Sequence, residues 1–227
     1  MTTIYLNQLG MISPLGNTLE ETKRRMLERV ESGVAPTDFY SSGRPLPLGR
    51  IDPALSLPPP ANLPWRARSR NNQLALAALN QIRPAVDSAI ERFGSNRIGI
   101  VIGTSTSGIA EGETALREYV SSGTLPSPFH YGQQELASPA AMLAQTLGTS
   151  GPAFVHSSAC ASSAKALASA ARLILINACD AVLAGGVDTL CAFTVAGFAA
   201  LESVSATRCN PLSRNRNGIN IGEGAAL

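Results

Sequence analysis

The sequence predicts an α/β fold, and three stretches carry that prediction. The run "RIGIVIG" at 97–103 is β-branched on both faces, as a strand covered on both sides of a sheet would be. "PAFVH", bounded by Gly151 and Pro152, is a second apolar, β-leaning run; it passes into "CASSAKALASAARLI", where alanine, leucine and isoleucine recur at helical spacing. "DAVLAGGVD" at 180–188 then returns as a strand. Residues 152–188 therefore read as strand, crossover helix, strand, the unit from which parallel sheets are assembled.

The other elements follow in order. "TTIYLN" at 2–7 predicts a short strand before the turn "SPLGN". Asn17 with Glu20 has the form of a helix N-cap and its third-position partner, opening a helix over 18–32. Seven of the fifteen prolines fall in 43–64, which predicts an extended surface excursion without regular structure. A long helical pattern follows in "NNQLALAALNQIRPAVDSAIERF", with Pro84 expected to kink or split it. After strand 97–103 come the small-residue loop "TSTSG", a helix around 110–121 and a short helix at 138–147 closed by Gly148. The strand at 152–158 and the helix at 160–177 complete the pattern, and "NGINIGEGAAL" begins as a strand that stops on apolar residues, as though cut.

Bulk properties exclude several classes. The chain has 227 residues, 44% apolar and 5% aromatic, with a net charge of +2, too little to argue for nucleic acid on charge alone. Four cysteines (160, 179, 191 and 209) without a C-x-x-C pair, and two histidines, argue against a metal site. No apolar run approaches the ~18 residues a membrane span needs, and "MTTIYLNQLG" lacks the basic and long apolar regions of a secretory signal. A cytoplasmic protein with reduced thiols is the expectation. No Walker A and no G-x-G-x-x-G follows a strand, which disfavours nucleotide cofactors.

Cys160 is the residue of most chemical interest. It stands where a strand becomes a helix, at the predicted N-cap or first helical position, where unpaired amides and the helix dipole favour a thiolate. Its small neighbours leave room for a carbonyl, and its own amide is a candidate oxyanion donor. A buried structural cysteine fits the same position equally well. Cys179, Cys191 and Cys209 lack such a setting and read as structural. His156, on the incoming strand, reads as a satisfied core or interface residue, the alternative being a Cys–His pair in an acyl hydrolase; His130 lies in a loop with no evident partner. "GTSTSG" at 103–108 departs from a G-x-S-x-G nucleophile elbow because Ser107 replaces the last glycine, and reads as a turn or a ligand-approaching loop. Arg66, Arg68 and Arg70 form a local basic patch, either ordinary solvated surface or a docking site for an acidic partner.

Several segments together resemble one family: "LNQLGMISPLGNTLEETKRRMLERVESGV", "SRNNQLALAALNQI", "ASPAAMLAQTLGTSGPAFVHSSACASSAKAL", "AVLAGGVDT", "GFAALESVSA" and "CNPLSRNRNGINIGEGAAL". In this order they resemble the N-terminal half of a β-ketoacyl-acyl carrier protein synthase, of the thiolase-like superfamily. The resemblance implies a mixed, mostly parallel sheet flanked by helices, one half of an αβαβα sandwich, spanning 1–227. It implies that Cys160 is the acylated nucleophile and that Phe198 and Thr106 lie along the acyl pocket. It implies no resident cofactor, substrates carried on the phosphopantetheine of an acyl carrier protein, and a homodimer or a heterodimer with a related condensing subunit. The family's catalytic histidines and lysine belong to its second half, so these residues alone are expected not to condense; a non-catalytic interaction or dimerisation module, or a partner subunit, is the alternative reading.

Overall fold

The computed structural model describes residues 3–28, 33–41, 43–52 and 57–227. The fold is organised around β4 (Ile98–Gly103), all six residues of which are buried. Its β-branched side chains serve both faces: Ile100 and Ile102 join the larger core, while Val101 packs with Ala166 and Ala170 on the other side. Burying each such aliphatic side chain contributes about 1.5–3 kcal/mol, which makes this strand the natural centre of the sheet. β5 (Ala153–His156) and β6 (Ala181–Asp188) pair with it in parallel on either side. Two antiparallel strands extend the β6 side, β7 (Gly224–Ala226) and then β1 (Met11–Ile12), giving the order β1-β7-β6-β4-β5. The parallel ladders are the longer ones, so the sheet is mixed and mostly parallel, as expected.

Helices cover both faces. α5 (Ser162–Leu175) lies across β4, β5 and β6. On the opposite face α2 (Arg70–Phe93) packs on β6, β7 and β1, and α4 (Ser138–Leu147) on β4 and β5. α4 ends at Gly148 in the left-handed conformation, as its sequence predicts. The crossover from β5 through α5 to β6 passes over β4, which sits between the two strands it connects.

Several elements differ from expectation. The predicted strand at 2–7 is not formed over its described residues 3–7; the antiparallel register of this edge includes Met11↔Ala226 and mutual Gly10–Leu227 hydrogen bonds. The N-cap of α1 (Leu19–Leu27) is Thr18, whose hydroxyl accepts from Glu21 N, while the Glu21 carboxylate accepts from Asn17 N; the cap stands one residue later than Asn17. Residues 29–32 of that predicted helix, and 53–56 of the proline-rich segment, lie outside the described residues.

Part of the supposed surface excursion is core. β2 (Val34–Thr37) and β3 (Leu46–Gly49) form a hairpin, and β3 is buried throughout. Leu46 and Leu48 pack on Leu190 and Val195, the latter from α6 (Ala192–Ala200), and that burial outweighs the poor strand propensity of Pro47. α2 also runs unbroken through Pro84; Asn80, whose carbonyl loses its helical donor there, is exposed and can turn to water.

Candidate active site

The carboxyl ends of β4, β5 and β6 converge on one loop cluster, the usual site-forming edge of a parallel sheet. Cys160 stands there and is exposed. α5 begins at Ser162 with Ala161 as its N-cap, so the thiol precedes the helix by one position more than its sequence predicts. The reason is local. Ala159 adopts φ +49°, a left-handed conformation that an alanine enters at a cost of about 1–2 kcal/mol, and the chain turns there before the helix starts.

The turn is held by its carbonyl. Ala159 O accepts from Ser162 Oγ at 2.7 Å, from Ser105 Oγ at 3.1 Å and from Ser162 N at 3.1 Å. Ser162 Oγ in turn accepts from Ser158 N at 2.8 Å, and Lys165 Nζ donates to Ser158 Oγ at 3.1 Å. Beneath it, Gly103 and Gly186 allow the first turn of α5 to rest on the sheet: a methyl group at Gly103 would come within 2.5 Å of the Ser162 carbonyl carbon and Ser163 N, and one at Gly186 would meet Ser163 Oγ.

The "TSTSG" loop is built around a residue the sequence did not single out. One carboxylate oxygen of Asp188, at the end of β6, accepts from Ser105 N (2.7 Å), Thr106 Oγ1 (2.9 Å), Thr106 N (3.0 Å) and Thr104 Oγ1 (3.0 Å). Thr106, expected along the acyl pocket, is buried, and its hydroxyl is occupied: it donates to Asp188 and accepts from Thr189 N. Phe198 is half-buried on α6. The first two amides of that helix, Ala192 N and Phe193 N, donate to the Glu113 carboxylate of α3 (Ile109–Ser122), which fixes α6 to the same cluster.

The remaining candidates separate clearly. His156 Nε2 lies 2.7 Å from Ser169 Oγ, and the ring stacks edge-on against Phe154, so the histidine is satisfied between β5 and α5. His130 does have partners, contrary to its reading as isolated: Nδ1 accepts from Gly132 N and the ring meets Trp65. Cys179 and Cys191 are buried, and that burial pushes both thiols up, away from reactivity. Arg66 and Arg68 are exposed. Arg70 is not a free cation: its guanidinium makes a bidentate pair with Glu223, Nε to Oε2 at 2.8 Å and Nη2 to Oε1 at 2.7 Å. The Glu223 side chain is only 2% exposed and also accepts from Ile51 N. Among the described residues no cluster of His, Cys, Asp and Glu could hold a metal, and no helix is long and apolar enough to cross a membrane.

An exposed sulfur on a strand–helix elbow, at the carboxyl edge of a mixed sheet, defines an α/β protein with an accessible thiol. The chain belongs to the β-ketoacyl synthase family: the model described as "Beta-ketoacyl synthase, N-terminal domain" matches residues 66–227. It is 34% identical over 154 residues to Nodulation protein E of Rhizobium sp. (strain N33), which covers 67% of this chain and 38% of that protein. It is 28% identical to 3-oxoacyl-[acyl-carrier-protein] synthase 2 of Coxiella burnetii, over 98% of this chain and 56% of the other. Among solved structures, a chain of the complex between the ketosynthase ApeO and its chain length factor ApeC, from Xenorhabdus doucetiae, superposes with a TM-score of 0.90 at 39% identity, covering 98% of this chain and 56% of that one. The chain thus spans about half the length, or less, of these relatives.

Proposed function

We propose that the protein is a β-ketoacyl-acyl carrier protein synthase of fatty-acid or polyketide-type synthesis, acting in the cytoplasm, and that this chain supplies its nucleophile. The observation that supports the reading most is the exposed Cys160 on its elbow ahead of α5. In the first step the Cys160 thiol gives up its proton and Sγ attacks the carbonyl of an acyl thioester. The carbon–sulfur bond to the carrier's phosphopantetheine breaks, and the carrier leaves as a thiol. In the second, a malonyl thioester loses CO₂, and the electron pair of the broken C–C bond attacks the acyl carbon, expelling Cys160 as thiolate. The product is two carbons longer. His156 is engaged with Ser169, so the histidines and lysine that family members use in decarboxylation are assigned to the part of the protein beyond this chain. No resident cofactor is required. By analogy with the ApeO–ApeC complex, pairing with a related subunit is the proposed assembly, a homodimer being the other form.

Incubation of the full-length protein with an acyl-carrier thioester is expected to add one acyl mass to the peptide containing Cys160, and Cys160→Ala to abolish both that adduct and condensation. Label on another cysteine, or full condensation by Cys160→Ala, would sink the assignment. A module that serves assembly alone would take up no acyl group in either form.

For the carrier, the proposed contact is Arg66 and Arg68. Reversing both charges (R66E/R68E) is expected to raise the apparent KM for the carrier protein several-fold and to flatten its dependence on salt, since exposed charges act over about a Debye length. An unchanged KM returns the pair to ordinary surface.

A further inference from the structure

We propose that Asp188 and Ser105 form a positioning relay that sets the orientation of Cys160; the inference rests on the reading of Cys160 as the acylated nucleophile. Neither residue touches the thiol. Asp188 gathers four donors from three consecutive residues onto one oxygen, at 2.7–3.0 Å, and so fixes the turn after β4 as a unit. The turn is tightened further by Ser107, which adopts φ +43°, donates to Glu135 O, and receives Thr189 Oγ1 on its own carbonyl.

That unit projects Ser105, whose hydroxyl donates to Ala159 O and lies 3.4 Å from Ser162 Oγ. Ala159 is the left-handed residue immediately before Cys160, and its other two donors, Ser162 Oγ and Ser162 N, belong to α5 itself. Ser105 is therefore the donor that ties the Ala159 carbonyl to the turn after β4. Without it the peptide between Ala159 and Cys160 is held only from the helix side and can rotate toward a less strained conformation. A charge-assisted anchor at Asp188, one neutral hydrogen bond at Ser105 and a strained peptide form one series across β6, β4 and the elbow.

Orientation of a nucleophile is worth large factors: a displacement of about 1 Å can cost about a hundredfold in rate. The relay loosens the elbow and does not remove the thiol, so a smaller effect is expected. In the full-length protein, Ser105→Ala should lower the limiting rate of Cys160 acylation about tenfold, with the half-saturating donor concentration and thermal midpoint unchanged. Ser105→Thr, which keeps the hydroxyl, should restore the rate. Asp188→Ala should lose at least as much as Ser105→Ala, and the double variant no more than Asp188→Ala alone, because both act through one path.

Alkylation by iodoacetamide, read as the rate at Cys160 relative to Cys209, follows the same thiol without an acyl donor. If wild-type Cys160 does not acylate, the condensing-enzyme reading falls, and the alkylation ratio still decides the relay. Wild-type rates in Ser105→Ala by this measure, strictly additive losses in the double variant, or failure of Ser105→Thr to rescue each overturns the proposal.

Discussion

Replacing Gly103 by alanine is expected to cost the site most of its reactivity while the fold survives. The added methyl would lie 2.5 Å from the Ser162 carbonyl carbon and Ser163 N, and 2.7 Å from Ser163 Cα, all main-chain atoms of the first turn of α5. None can rotate aside, so the start of the helix must lift from the sheet by about 1 Å, and Cys160 moves with it. Overpacking of this kind costs about 1–3 kcal/mol of stability. The larger consequence is chemical: acylation of Cys160 should fall about a hundredfold. Gly186→Ala provides the comparison: its methyl would clash chiefly with the hydroxyl of Ser163, a side chain with other rotamers, with Ser163 Cβ at 3.0 Å and the Gly103 carbonyl oxygen at 3.2 Å as tight secondary contacts, and a smaller loss is expected. Acylation time courses on the two variants, beside their thermal midpoints, check the ordering. Equal, small effects would mean that the seat of α5 does not set the thiol's position.

The elements that were legible in the sequence are those whose signal is local. β4 is a β-branched run long enough to need no help from its neighbours, and α4 carries its own stop at Gly148. Cys160 was legible because the change from apolar strand to alanine-rich helix occurs within a few residues. Its local geometry was not: alanine gives no hint of a positive φ, and one of the three donors on the Ala159 carbonyl, Ser105 Oγ, lies 54 residues earlier. Asp188 was missed for the same reason. It reads as an unremarkable polar strand end, and its donors lie 82–84 residues upstream. β3 misled in the opposite direction. Pro47 and the prolines around it are a local signal for irregular chain, but the pocket offered by Leu190 and Val195 exists only in the folded protein. Thr106 and Phe198, taken from the family resemblance, came with positions but no chemistry; the structure shows the Thr106 hydroxyl fully engaged with Asp188 and Thr189.

The same contrast between local and distant signals governs the second large effect, at Arg70. In the sequence it completes an arginine triplet and looks like one more surface charge. In the fold it compensates a carboxylate that is almost entirely buried, and Arg70→Ala is expected to destabilise the protein by about 3 kcal/mol, the low end of the range for breaking a buried ion pair from one side, because the Arg70 side chain is itself 35% exposed. Glu223 would keep its single bond from Ile51 N but lose both bonds of the guanidinium fork. A second carboxylate adds to the strain. Glu111 accepts from Arg70 N, and burial already pushes its carboxyl up, with the Arg70 amide and charge working against that shift. Removing the cation takes a favourable charge from both poorly solvated acids. Arg70→Lys should fall between, since an ammonium supplies charge without the planar fork. Arg70→Ala combined with Glu223→Gln should recover part of the loss, because a neutral amide is cheaper to leave half-satisfied than an anion. Thermal and urea unfolding of the four proteins would check the order wild type, Lys variant, double variant, Ala variant. Unfolding of Arg70→Ala at the wild-type midpoint would mean that the fork contributes nothing to the fold, and would return Arg70 to Arg66 and Arg68 as a third charge available to an acidic partner.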